Sequence, residues 1–398
     1  MNECSNEIVR IRVAASMRDI GAGAWDACAN PPGEPHNPFV SHAFLEALER
    51  SGSVNARTGW LPRHLLLEDG AGGLLAAAPC YLKSHSRGEF VFDWGWADAY
   101  ERAGGRYYPK LQIAVPFTPA TGPRLLVPPG SGRGARRRQL AAGAAELCAK
   151  LTASSVHITF LTEAEASDLD AAGWLHRTDT QFHWHNRGYA SFDDFLAALS
   201  SRKRKNIRKE RAAIADGIEF RWLTGSDIAE HHWDAFFDFY QDTGSRKWGA
   251  PYLTRSFFSM IGETMADRIL LILACRAGRP IAGALNLIGG DALYGRYWGA
   301  AEHHEFLHFE TCYYQAIEFA IAHGLDRVEA GAQGPHKLAR GYLPSLTHSA
   351  HHIADPRLAH AVADYLEHER RAIAEDSELL AEHSPFRRGE EQSDEDSM

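Results

Sequence analysis

Long apolar runs are missing from this chain. No stretch of its 398 residues approaches the ~18 apolar residues of a membrane-spanning helix. The amino-terminal MNECSNEIVRIRV has no basic segment ahead of an apolar core, so no secretory signal is expected. Cysteine is sparse: Cys4, Cys28, Cys80, Cys148, Cys275 and Cys312 are scattered, with no Cys-x-x-Cys pair. That argues against a zinc ribbon or a disulfide framework and fits a reducing cytoplasm. Gly-x-Ser-x-Gly is absent, and with it the nucleophile elbow of serine hydrolases. Beside His303, the run His304-Glu305-Phe306-Leu307-His308 has the His-Glu-x-x-His spacing; because the adjacent His303 and His304 cannot easily share one ligand sphere, no metal is expected. Net charge is −9. This excludes neither nucleic acid nor membrane as a partner, since local patches outweigh the sum.

What is present is organised around Ile269–Pro344. Two apolar runs, Ile269–Cys275 and Pro280–Ile288, are followed by Ala292–Gly299, with turn residues between them, and predict a three-stranded meander. Phe306–His323 is too densely apolar for a surface helix and predicts a buried one, ended by Gly324. Asp326–Ala330 reads as a strand with a Gly-rich exit through Gly331 and Gly334. Strands, one buried helix and a further strand predict an α/β arrangement with a ligand crevice at the strand ends.

The rest is read in order. A strand is expected over Ile8–Ala14, a short helix over Gly21–Ala29, and a helix over His42–Arg50 capped by Ser41. His64–Leu67 and Leu74–Leu82 read as a strand pair, and Glu89–Trp94 as a third strand. Helices follow at Ala135–Leu151 and Glu163–Ala172, with strands at Ser155–Leu161 and Gln181–Asn186. Phe192–Asp216 predicts one helix closed by Gly217, then a strand at Glu219–Leu223 and helices near Asp227–Tyr240 and Ser256–Met265. Arg357–Ala381 is helical, and an acidic, Ser-rich tail follows. Trp94-Gly95 and Trp298-Gly299 each close a strand–turn–strand pattern. This weak internal repeat predicts that the two tryptophans occupy equivalent places in two sheets.

Three clusters carry candidate chemistry. The first is Gly331–Tyr342, where Gln333, His336, Lys337 and Arg340 surround two glycines that permit close backbone approach to a phosphate or oxyanion. A polar surface loop opening a helix at Pro335 is the alternative. On the surface reading, Lys337→Ala shifts stability by only about 0.5 kcal/mol. Nearby, His308 and Glu310 begin the buried helix; Glu310 is either a base or a carboxylate favoured by the helix dipole. Tyr297 and Trp298 precede them. The second cluster is Asp93, Trp94, Trp96, Asp98, Tyr100, Tyr107, Tyr108 and Lys110. It reads as an aromatic pocket with a few orienting polar groups, or as an aromatic core edge. The third is the helix carrying Arg202, Lys203, Arg204, Lys205, Arg208, Lys209 and Arg211. It is an electrostatic footprint for tRNA or anionic lipid, or a solvated face paired with Glu210.

The stretches NPFVSHAFLEALERSGS, YLKSHSRGEFVFDWGWADAYERAGGRYYPKLQIAVPFTPATGPRLL, LYGRYWGAAE, LHFETCYYQAIEFAI and EAGAQGPHKLARGYLP resemble the FemAB-like predicted acyltransferases, from about Asn37 to Ile353. The resemblance implies an α/β fold of two tandem Gcn5-related acetyltransferase-like (GNAT-like) domains with mixed central sheets. The expected division is 1–187, 188–355 opening with the basic helix, and a carboxy-terminal helix and tail over 356–398. It implies transfer of an activated acyl group to an amine-bearing acceptor, from aminoacyl-tRNA as in FemAB-type enzymes or from acyl-CoA as in GNAT enzymes. The donor is a co-substrate, and no permanently bound cofactor is expected. The resemblance also matches Lys337 to a lysine beside a substrate phosphate, and the basic helix to the one opening the second FemAB half. One departure is the GNAT pyrophosphate loop, whose place is taken by Ala300-Ala-Glu-His-His-Glu-Phe-Leu; Glu302 and Glu305 there are expected to repel a pyrophosphate. A non-catalytic ligand-binding protein on the same fold stays as the reading of another class.

Overall fold

Short elements punctuated by Pro and Gly build the first half. The structure, a computed structural model, describes residues 9–214, 216–247, 251–331 and 334–387. It opens with β1 (Arg10–Ala14), α1 (Ala22–Ala29) and α2 (His42–Arg50). Ser41 caps α2 by accepting from the Phe44 amide, and Phe44, Leu45 and Leu48 form its buried side. Four strands follow: β2 (Trp60–Pro62), β3 (His64–Glu68), β4 (Leu74–Ala78) and β5 (Cys80–Lys83). The single strand expected over Leu74–Leu82 is therefore two. Pro79, with no amide hydrogen for a ladder, divides them, and β4 and β5 join different sheets.

The strand expected over Glu89–Trp94 does not form. Asp93 stands at the N-cap position of α3 (Trp94–Arg102). Trp96, Ala97 and Tyr100 recur at helical spacing and pack with Tyr107, Leu358 and Val362. Next come β6 (Lys110–Ile113), α4 (Arg133–Lys150), β7 (Ser155–Leu161), α5 (Glu163–Asp170) and β8 (Leu175–His185).

The helix expected over Phe192–Asp216 is broken into α6 (Phe192–Ala198) and α7 (Ser201–Ala212). Leu199 between them is extended and fully buried, because it makes a β-bridge to Phe386. β9 (Ile218–Leu223), α8 (Glu230–Lys247) and α9 (Arg255–Thr264) lead into the predicted meander of β10 (Ile269–Arg276), β11 (Arg279–Ile288) and β12 (Ala292–Ala300). The buried helix is α10 (Leu307–Phe309) and α11 (Gln315–Ala322), joined by a π turn over Glu310–Tyr314. Gly324 follows in the left-handed region, φ 64°. β13 (Arg327–Glu329), β14 (Leu343–Ile353) and α12 (Pro356–Glu382) complete the chain.

The chain divides into two compact units, neither a single stretch of sequence: Met1–Asp179 with Tyr252–Phe257 and Thr347–Ile373, and Thr180–Pro251 with Phe258–Leu346 and Ala374–Met398. In the first, β1, β3 and β4 form an antiparallel sheet. A second sheet runs β2-β5-β6-β7-β14 and is mixed, since β6 and β7 are parallel. Leu65, Leu67, Ile113, Leu140, Val156 and Ile158 lie in its core. In the second unit, β9, β10, β11 and β12 are antiparallel neighbours, and β13 runs parallel to β12 and antiparallel to β8. Trp184, Phe195, Tyr314, Ile317 and Val328 lie in its core. Both units are mixed α/β, the expected fold class.

Among the described residues no helix is long and apolar enough to cross a membrane. The two Trp-Gly elements are not equivalent: Trp94 begins helix α3 and Trp298 lies on strand β12. The repeat read from them is therefore set aside.

Candidate functional site

In the second unit the sheet itself makes the crevice. β12 and β13 pair at Ala292–Arg327, Leu293–Val328 and Tyr294–Glu329, and there the ladder ends while β12 continues to Ala300. Beyond it lies a cleft of about 640 Å³ lined by Thr243, Trp298, Glu302, His304, His308 and Phe309 among others. Such a place, past the carboxyl ends of parallel strands and at the start of the following helix, is where α/β folds bind ligands. Trp298 is held from behind. At Gly299 a Cβ would run into the carbonyl oxygen of Phe239 on α8, so only glycine lets that helix lie so close.

The π turn places a run of rings along the helix. His308 meets Trp298 at 5.3 Å and Tyr313 at 5.4 Å between centroids, and Tyr313 meets His336 at 5.8 Å. The Tyr313 hydroxyl lies 3.0 Å from His336 Nε2. His336 is at the surface, but packing against Phe309 desolvates its ring. That desolvation, followed by the positive charges of Arg340 and Lys337, lowers its pKa from the ordinary value. π turns of this kind recur at functional sites. Sequence reasoning named His308 and His336 but missed Tyr313 and Phe309. A π turn leaves no composition signal, so the alignment of these rings was not visible.

Other candidates are engaged elsewhere. Both oxygens of Glu310 accept from Arg211, at 2.7 and 3.0 Å, and Gln315 Nε2 donates at 2.8 Å. Arg211 also holds Glu318. The carboxylate read as a base thus braces α7 against the π turn. Arg340 stacks 3.5 Å over Phe309, donates to the His336 carbonyl and pairs with Glu210 at 2.8 Å. Glu210 is therefore not the counter-charge of the basic face. Tyr297 packs on Tyr240. Gln333 lies outside the described residues.

Lys337 is not the surface residue the sequence suggested: it is 2% exposed, and its Nζ donates to the Gly331 carbonyl at 2.7 Å. Burial brings its pKa down to about 8. Glu302, expected to repel a phosphate, is itself neutralised. Arg276 lies 2.8 Å and Arg279 3.4 Å from its carboxylate, and His304 hydrogen-bonds it at 2.9 Å.

α7 buries Ile207 alone. Arg208 pairs with Asp193, and Arg211 is bound as above. Arg202, Lys203, Arg204, Lys205 and Lys209 form no ion pair among the described residues, so the basic face stands open.

The aromatic cluster of the first unit is scattered by α3. Trp94 is 54% exposed beside Phe92, Asp98 is exposed, and Tyr100 donates to Asp355. Trp96 packs on His351, and Tyr108 bonds Ser86. Asp93 and Lys110 do meet, but deep inside. Lys110 is fully buried between Asp93 and Glu89, 2.7 Å from the latter. Tyr107 donates to Asp93, and His157 lies beyond it, bonded to Ser155 and, Nδ1 to Nδ1 at 2.7 Å, to His351. Burial, then Lys110, holds His157 down to about 3, and His351 is also far below its usual range, chiefly through burial. Both rings are neutral at pH 7. His157, His351 and Glu89 were not foreseen; β14 brings His351 in on a face that also buries the polar Thr347 and Ser349 ahead of Ile353.

Among the described residues no group of three or more His, Cys, Asp or Glu side chains is placed to hold a metal ion.

Residues 16–388 match the FemAB-like family, described as peptidoglycan biosynthesis/recognition. No curated protein matches the chain. Among solved structures, FemX is similar over 86% of this chain and 98% of its own, at 13% identity and a TM-score of 0.55. A conserved protein of unknown function from Bacteroides thetaiotaomicron VPI-5482 is similar over 86% and 99%, at 13% identity and a TM-score of 0.50. A tandem GNAT protein from the clavulanic acid biosynthesis pathway covers 88% and 99%, at 14% identity and a TM-score of 0.47.

Proposed function

The chain belongs to the FemAB-like family, and from that premise we propose that it transfers an activated acyl group to an amine, with aminoacyl-tRNA as donor. The observation that carries this reading is α7. Arg202, Lys203, Arg204, Lys205 and Lys209 have no ion-pair partner among the described residues of a chain whose net charge is −9. A CoA site needs a short anion cradle, whereas tRNA spreads phosphates over a wide surface.

In the cleft, the acceptor amine attacks the ester carbonyl of the donor. The C–N bond forms, the C–O bond to the ribose breaks, the nitrogen gives up a proton and the ribose hydroxyl leaves with one. The Tyr313–His336 pair supports that transfer, because the imidazole is neutral at pH 7 and hydrogen-bonded to the hydroxyl. Trp298 supplies an aromatic wall, His308 lies between Trp298 and Tyr313, and Lys337 offers a cation beneath the Gly-rich exit. The family's description favours an amine of a peptidoglycan precursor as acceptor.

Acyl-CoA is the second reading. It is favoured by Arg276 and Arg279, which counter Glu302 at the cleft and leave it less hostile to a pyrophosphate than the sequence suggested.

Salt separates the two. Replacing Arg202, Lys203, Arg204 and Lys205 by Gln in one variant is expected to flatten the slope of log tRNA affinity against log salt. The change is about 0.9 for each duplex phosphate no longer neutralised. Affinity falls equally for different tRNA sequences, because phosphate contacts position without reading bases. Turnover with acyl-CoA, and no salt-sensitive tRNA binding by the unaltered protein, would overturn the tRNA reading.

A further inference from the structure

The second unit holds another cavity, of about 330 Å³, which shares no lining residue with the cleft beside Trp298. Arg187, just past the end of β8, forms one side, and Leu343, Ser345 and Leu346 at the start of β14 form another. The end of α12 completes the lining with Ser377, Ala381 and Ser384. All of these residues belong to the second unit.

The sequence accounts for the space. Ser377, Ala381 and Ser384 recur at i, i+4 and i+7, the spacing that puts residues on one side of a helix. α12 ends at Glu382, and a turn from the Ser384 amide to the Ala381 carbonyl brings the last of them round. A packed helix carries Leu or Ile on such a side; here small side chains leave the volume unfilled. The acidic residues between them, Asp376, Glu378 and Glu382, fall on other sides and are exposed.

The polar groups around this cavity are not engaged with one another. Arg187 lies 4.7 Å from the centre of the Phe386 ring and makes no hydrogen bond or ion pair among the described residues. Its Nη1 is buried without a hydrogen-bond partner among them, and so is the Ser377 hydroxyl. Two other arginines of the unit stack on rings in the same way, and both are neutralised. Arg211, over Phe192, pairs with Glu310 and Glu318; Arg340, over Phe309, pairs with Glu210. Stacking satisfies none of the five N–H donors of a guanidinium, which has no acceptor of its own. A half-buried cation without a counter-charge lacks compensation for its lost water, and an oxyanion supplies it. The carboxyl end of α12 opposes an anion with only about half a negative charge, which the full charge of Arg187 outweighs.

We propose that this cavity binds a small organic anion. Arg187 meets its carboxylate or phosphate head, the Ser345 and Ser377 hydroxyls donate beside it, and an apolar body lies against Leu343 and Leu346. Leu346 is 50% exposed, so that wall is open to be covered. The volume is at the lower end of the roughly 300–1,000 Å³ of small-molecule pockets, which suits one head and a short chain.

The test uses the full chain and three ligands of one shape: hexanoate, hexyl phosphate and hexanol. Calorimetric titration is expected to detect at least one of the two anions and not the alcohol; the anion that binds tells a carboxylate head from a phosphate. Phenylglyoxal, which modifies guanidinium groups, is then applied with and without each ligand, and its adducts are located by peptide mass spectrometry. The binding anion should protect Arg187, and hexanol should not. Arg187→Gln removes the charge and should weaken the anion by about 10-fold or more. Ser377→Leu keeps the arginine but fills the cavity, and should abolish binding while thermal melts show a folded chain. Should either variant fail to fold, protection of Arg187 in the unaltered chain decides. Binding of neither anion, equal binding of hexanol, anion binding that survives Ser377→Leu, or protection confined to other arginines would each overturn the proposal.

Discussion

Two lysines of this chain are equally hidden and differently kept. Lys110, in the first unit, lies between Glu89 and Asp93, with Tyr107 donating to the same aspartate. Burial pulls its pKa down, but the two carboxylates outweigh that and leave it raised. Lys337, in the second unit, donates to the Gly331 carbonyl and meets no carboxylate among the described residues, and burial wins. A buried cation matched by carboxylates is a structural element; one matched by a carbonyl alone carries a desolvation cost that folding does not recover. The first pattern reads as architecture and the second as a group kept for a ligand. The same contrast separates the first unit's Asp93–Lys110 cluster, closed among its own partners, from the open cations of α7.

The contrast is broken most sharply at Lys110. Lys110→Met leaves buried Asp93 without its lysine and Glu89 with only Lys83, 3.7 Å away, and removing one partner of a buried pair costs roughly 3–5 kcal/mol. Urea unfolding should show that loss. Adding Asp93→Asn should recover part of it, since one of the stranded charges is then gone. If Lys110→Met unfolds at the same urea concentration as the unaltered protein, the cluster is not structural.

Lys337→Met sharpens the other side. Because its folded pKa of about 8 is below that of an unfolded lysine, the unfolded chain binds more protons between about pH 8 and 10.4. Stability therefore rises with pH through that window, and below pH 8 the full cost of the buried ammonium is present. Methionine removes it, so the variant should be more stable at pH 7 by up to about 3 kcal/mol, at 1.36 kcal/mol per pKa unit, and should lose the alkaline rise. Donor binding should meanwhile weaken by about 10- to 150-fold, the worth of one charged hydrogen bond. A less stable variant with unchanged donor affinity would make Lys337 a packing residue.

How much of this was legible depended on where the determinants lie. The meander, the buried helix and the Gly-rich exit were visible because apolar runs and turn residues are local. The break between α6 and α7 was not, because Leu199 is drawn out of the helix by Phe386, near the far end of the chain. β14 carries Thr347, Ser349 and His351 on its buried positions, so hydropathy alternation could not reveal it, and the His157–His351 pair stayed hidden as well. His308, His336, Lys337 and Arg340 were all named from spacing. What spacing withheld was their partners: Tyr313 for His336, Glu210 for Arg340, and Arg211 for Glu310.

The smallest expected effect concerns the two Trp-Gly pairs, whose likeness in sequence hides opposite reasons for glycine. Gly299 lies on β12, where any Cβ would meet the Phe239 carbonyl of α8. Backbone cannot swing aside as a side chain can, so Gly299→Ala must push helix and sheet apart, an overpacking that typically costs about 1–3 kcal/mol. Gly95 lies in the first turn of α3, and nothing stands within 4 Å of the position a Cβ would take. Its glycine only adds freedom to the unfolded chain, so Gly95→Ala should stabilise by up to about 1 kcal/mol. Thermal melts of the two variants should move in opposite directions, with the larger shift at Gly299. Equal losses at both would mean that Gly95 also faces a close backbone, and that the two elements are more alike than a helix turn and a sheet strand allow.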